Sequence, residues 1–179
     1  MPEALRSYLK ELTATIKRGD YREESFYPAL ERLLEELGSE LGHPRLDVTV
    51  LPKKTEAGNP DFSVWDGQSK IIGYVEAKKP GENLEAVAQS EQLGRYRGTF
   101  PNVVLTDFFN FVLYRDGAEI ARATLAQPQP ALMGRTPPVQ DAEGFLELLR
   151  RFYDYSLPQK LKARPLAERL ARLTRFLRD

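Results

Sequence analysis

The sequence contains no cysteine, so disulfides and thiolate metal sites are excluded, and a single histidine leaves little room for a zinc enzyme. Long hydrophobic runs are missing too. No stretch approaches the roughly 18 apolar residues that a bilayer-spanning helix needs, and the N-terminal MPEALRSYLKEL has no apolar signal core. A soluble, cytoplasmic protein without a membrane partner is the expectation. A net charge is absent as well, but only on average. From Arg150 to Asp179 nine basic residues face three acidic ones, which leaves the preceding part of the chain acidic. Such a tail suits either nucleic acid or a solvated helix face. With 179 residues and 41% hydrophobic content, the chain can bury one sizeable core, and one domain is expected rather than two.

What is present is organised around residues 58–78, GNPDFSVWDGQSKIIGYVEAK. Two short apolar runs flank Asp66-Gly67, and Asp-Gly between alternating apolar residues is a strong hairpin signal. Side chains alternate along a strand, so Glu76 and Lys78 share a face, and the hairpin returns that face toward Asp61. Two converging carboxylates need a proton or a cation between them. Oxygen-only ligands suit a hard ion such as Mg²⁺, with Mn²⁺ able to substitute.

Pro60-Asp61 followed by Glu76-Ala77-Lys78 resembles the signature of the PD-(D/E)xK nuclease superfamily. The resemblance implies that Asp61 and Glu76 bind the metal, joined by the carbonyl of Ala77. Lys78 then positions or activates the water that attacks a DNA phosphodiester. Two further stretches, EESFYPAL and SEQLGRYRGTFPNVVLTDFFNFVLYRDG, resemble the nuclease domain of restriction-modification enzymes fused to an adenine-specific DNA methyltransferase. That likeness makes Glu23 the helical glutamate of the site, with Glu24 as the alternative. Gln92 and Tyr96, four apart on one helix face, are similar to a motif of RecB-like members. Gln92 and Glu23 would hold the metal's water shell. Each also has a plainer reading: Glu23 as an acid at a helix N-terminus, Gln92 and Tyr96 as packing.

The fold implied is α/β, a central mixed sheet flanked by helices. Helices are expected over 3–17, from Arg22 to a C-cap at Gly38, over 84–100 with Asn83 as cap, and from Asp141 to Tyr155. Strands are expected at 45–51, 61–65, 70–78, 102–107, 110–115 and 118–125, and an extended loop at 127–140. The nuclease domain would occupy residues 1–157. Residues 158–179 would form a basic helical extension toward a missing methyltransferase domain, with a target-recognition domain also in the full-length protein. Lys53 and Lys54 in the loop before Asp61, Arg95 and Tyr96, and the tail residues Arg169 and Arg172 are the candidate DNA contacts. His43 before a proline and Asp107 at a strand end read as turn and structural residues. Two other readings stay open: a non-catalytic DNA-binding or interaction module on the same fold, and a repair or structure-specific nuclease.

Overall fold

Leu5, Leu9, Leu12 and Ile16 recur at helical spacing and form the buried stripe of α1 (Glu3–Arg18) in the computed structural model, which describes residues 3–155. The tail assigned to 158–179, with Arg169 and Arg172, lies outside the described residues, as does the boundary at 157. Beyond Gly19 the chain makes a 3₁₀ turn at Glu23–Phe26 and then enters α2 (Tyr27–Glu40). The helix expected from Arg22 therefore starts later. The Ser25 hydroxyl accepts the Arg22 amide at 3.0 Å, a local bond that closes a tight turn in place of the first helical turn. Pro28 falls in the first turn of α2, where its missing N–H removes no helical bond. Gly38 is no cap. It is buried within α2 under the Leu46 side chain, and Gly42, at φ +97°, takes the left-handed backbone beyond the helix end.

Six strands form one sheet in chain order: β1 (Asp47–Val50), β2 (Phe62–Trp65), β3 (Ile71–Ala77), β4 (Asn102–Thr106), β5 (Asn110–Arg115) and β6 (Ala118–Thr124). Only β3 and β4 run parallel, and the crossover between them carries α3 (Leu84–Ala88) and α4 (Glu91–Thr99). One helix was expected over this stretch. Ser90 breaks it: in extended backbone, its side chain accepts the Leu93 amide at 3.2 Å and starts α4 afresh. Asn83 caps α3 as expected, and Asp141 caps α6 (Ala142–Tyr153). The proline-rich loop differs slightly, since Pro128–Leu132 winds into a short α5 with proline in its first turn.

Helices cover both faces of the sheet. On one side α1, α2 and α6 bury Leu9, Leu30, Phe62, Val75, Phe111 and Phe152 together. On the other, α3 and α4 pack Leu93, Tyr96 and Phe100 onto Val103, Leu105 and Val112. All five residues of β4 are buried, as a central strand enclosed on both faces requires. Among the described residues no helix is long and apolar enough to cross a membrane.

The β2–β3 hairpin folds at the expected Asp66-Gly67. Asp66 Oδ1 accepts the amides of Gln68, Ser69 and Lys70 at 2.8, 3.0 and 3.1 Å, while Gly67 takes φ +73°. A Cβ at Gly67 would run into the Arg45 carbonyl, so both conformation and space demand glycine here. Gly67→Ala is expected to destabilise the domain by about 2 kcal/mol or more, measured by urea unfolding. A change below about 0.5 kcal/mol would show that the turn carries no such constraint.

Candidate active site

The hairpin register sets up the site. Phe62 pairs with Val75, so one step further along the antiparallel ladder Asp61 lies opposite Glu76. Directly opposed residues put their side chains on one face. The Leu51 amide donates to the Asp61 carbonyl at 2.7 Å and extends the β1–β2 pairing to the same point. Lys78, two residues beyond Glu76, points to the same side. Its Nζ donates to Glu76 Oε1 at 2.5 Å, so the acid pair and the lysine expected to meet do meet.

Asp61 is held through both oxygens. Oδ2 accepts the Ala77 amide at 2.8 Å, and Oδ1 accepts the Tyr27 hydroxyl at 2.7 Å. Tyr27 was not singled out in the sequence. Its partner lies 34 positions away, and no local pattern distinguishes it from the core residues of α2. On its other side the same hydroxyl lies 3.3 Å from Glu23 Oε1. Glu23 thus sits half-buried at the edge of the cluster, whereas Glu24 is exposed and pairs with Arg22 at 3.7 Å. Of the two candidates for the helical acid, Glu23 is the one placed near Asp61.

Glu76 is the most constrained charge of the group, its side chain only 3% exposed. Burial first, and the nearby Asp61 charge second, push its carboxyl up to about 7, against the opposing pull of Lys78. Its second oxygen, Oε2, is buried and has no hydrogen-bond partner. Burial pulls the Lys78 ammonium down, but its bond to Glu76 and the charges of Glu76, Asp61 and Glu23 outweigh that and raise it. Glu23 is raised chiefly by burial, with Lys78 opposing and Asp61 adding.

A buried, unpaired carboxylate oxygen beside a second carboxylate is one positive charge short, and hard oxygen donors fit Mg²⁺ or Mn²⁺. Among the described residues no three acidic or imidazole side chains form a metal-binding group. Two carboxylates and a carbonyl suit Mg²⁺, which keeps several of its waters.

The remaining candidates separate. Gln92 spends its amide on the Tyr96 hydroxyl at 3.2 Å and bonds to neither carboxylate. Tyr96 is 1% exposed, which removes it as a DNA contact. It packs instead on Gly58, at φ +133°, where a Cβ would lie 3.3 Å from the ring. The Tyr96 phenol is raised by burial, with Glu76 and Asp61 adding, which places the Gln92–Tyr96 pair beside the acidic cluster. Arg95 pairs with Glu91 at 2.9 Å and reaches the Ala57 carbonyl at 3.5 Å, so α4 clasps the loop that leads to Asp61. Lys53 and Lys54 are exposed in that loop. His43 faces Asp154 at 3.1 Å, at the end of α6. Asp107 is structural: its oxygens accept the amides of Gly81, Phe109 and Asn110.

No protein-family model matches the chain, and no curated protein does. Its fold is similar to one solved by cryo-electron microscopy in a DrdV–DNA complex, with a TM-score of 0.65 and 25% identity over 93% of this chain. This chain spans 15% of the length of that protein.

Glu76 makes a pH prediction. Its folded-state value of about 7 lies above the ordinary 4.5, so its contribution to stability is full below pH 4.5 and is lost as pH rises through 7. In metal-free buffer the wild type is expected to lose on the order of 3 kcal/mol relative to Glu76→Gln between about pH 4.5 and 8. Urea unfolding of the two proteins at both pH values checks this. A gap that does not change with pH would remove the raised acid.

Proposed function

We propose that this chain is a metal-dependent DNA nuclease module of the PD-(D/E)xK kind. In this reading it is the cleavage part of a cytoplasmic restriction-modification enzyme whose methyltransferase and target-recognition domains belong to the same polypeptide. The observation that carries the reading is the convergence of Asp61, Glu76 and Lys78 at one end of the sheet, with Glu76 Oε2 buried and unpaired. The likeness to a protein captured on DNA supports DNA as the partner.

Asp61 and Glu76, with the Ala77 carbonyl, would hold Mg²⁺ or Mn²⁺. When bound, the ion supplies Lewis acidity and a water of lowered pKa. Lys78, hydrogen-bonded to Glu76, would position or activate the attacking water, or steady negative charge building on the phosphate oxygens. Glu23, tied to Asp61 through Tyr27, and Gln92 would in this reading hold the water shell of the ion. Lys53 and Lys54 are free to meet phosphates, a contribution that weakens with salt.

The decisive variant is Lys78→Ala. Metal and DNA binding are expected to persist, while plasmid nicking in Mn²⁺ falls by about 10² to 10⁴. Asp61→Ala, in contrast, should lose most of the metal binding seen by calorimetry. Equal nicking by the wild type and Lys78→Ala would overturn the catalytic assignment. DNA binding with no cleavage by either would favour a non-catalytic DNA-binding module.

A further inference from the structure

Tyr27 opens α2 with its ring buried between Phe62, at 4.8 Å, and Phe108, at 6.4 Å between centroids. Other buried tyrosines of the same core satisfy their hydroxyls with backbone carbonyls: Tyr8 donates to Phe108 at 2.9 Å and Tyr153 to Leu34 at 2.9 Å. A neutral carbonyl is therefore enough to bury a phenol in this core. Tyr27 instead donates to the Asp61 carboxylate at 2.7 Å, a charge-assisted bond and, among the described residues, the only one a side chain makes to Asp61. The hydroxyl carries one proton. Glu23, at 3.3 Å, lies on its other side as the weaker second partner.

A carboxylate turns freely about its terminal bond unless both oxygens are held. The Ala77 amide holds Oδ2 from the sheet, and Tyr27 holds Oδ1 from the helix layer. Resting on the nuclease reading, we propose that Tyr27 is a positioning residue of the site: its hydroxyl fixes the plane of the Asp61 carboxylate and links Glu23 to it. The direction in which Asp61 presents its remaining lone pairs is then set by α2 as well as by β2 and β3. Groups that orient metal-binding carboxylates in this way typically contribute about ten- to a hundredfold in metal affinity or activity.

Tyr27→Phe keeps the ring and its packing and removes only the hydroxyl. The control is Tyr153→Phe, which loses a buried tyrosine hydrogen bond to the same helix but away from the acids. Both variants are expected to melt a few degrees lower, as loss of one tyrosine hydrogen bond requires. Calorimetric titration with Mn²⁺ below both melting points separates them. Tyr27→Phe is expected to bind about tenfold or more weakly, and Tyr153→Phe like the wild type. Tyr27→Phe binding as tightly as the wild type would overturn the positioning role and leave the nuclease reading standing, as would an equal loss in Tyr153→Phe. If the wild type binds Mn²⁺ no better than Asp61→Ala, the nuclease reading fails, and this role fails with it.

Discussion

Two carboxylates facing each other across an antiparallel pair are an unfavourable arrangement, and much of this molecule can be understood as holding Asp61 and Glu76 there. Like charges directly opposed destabilise a sheet, and burying one of them adds desolvation to repulsion. Three groups offset the strain. Lys78 pairs with Glu76, the Ala77 amide bonds to Asp61, and Tyr27 adds a second donor from the helix layer. The offset is incomplete, because Glu76 Oε2 stays unpaired and its acid is raised to about 7. Such a carboxyl costs the fold stability, and a perturbed acid of this kind marks a candidate functional site.

The rest of the fold is arranged in support. The first core anchors α2 against β2 and so delivers Tyr27 to Asp61. The second works from the other face: Tyr96 and Arg95 of α4 grip Gly58 and Ala57, in the loop just before Asp61. Asp61 is therefore fixed from helices on both sides of the sheet. Arg95 and Tyr96, expected as DNA contacts, thus brace the loop before Asp61.

The local signals were the legible ones. Asp66-Gly67 located the hairpin, alternation put Glu76 and Lys78 on one face, and Asn83 and Asp141 marked helix starts, because each depends on neighbours a few positions away. The errors were local competitions: Ser25 and Ser90 hydroxyls bonding to nearby amides broke helices that apolar periodicity would have continued. What could not be read depended on distant contacts. Tyr27 looks like any core residue of α2 until the sheet brings Asp61 to it, and Tyr96 looks like a surface aromatic until Gly58 closes over its ring.

The sheet's connections also differ in how much change of length they can absorb. The turn at Asp116-Gly117, with φ of +48° and +84°, joins β5 to β6, an edge strand whose side chains are mostly exposed. An inserted residue there would transpose only that edge. The same insertion between Asp66 and Lys70, carried into the β2–β3 register, would turn every side chain of β3 over, swinging Glu76 and Lys78 to the face covered by α1, α2 and α6 and bringing Val75 opposite Asp61. The strands would still pair, and the chain would still fold around a site that no longer exists. Among descendants of this sequence, gain or loss of residues at the far hairpin is therefore compatible with keeping the Asp61, Glu76 and Lys78 cluster, and at the near one it is not.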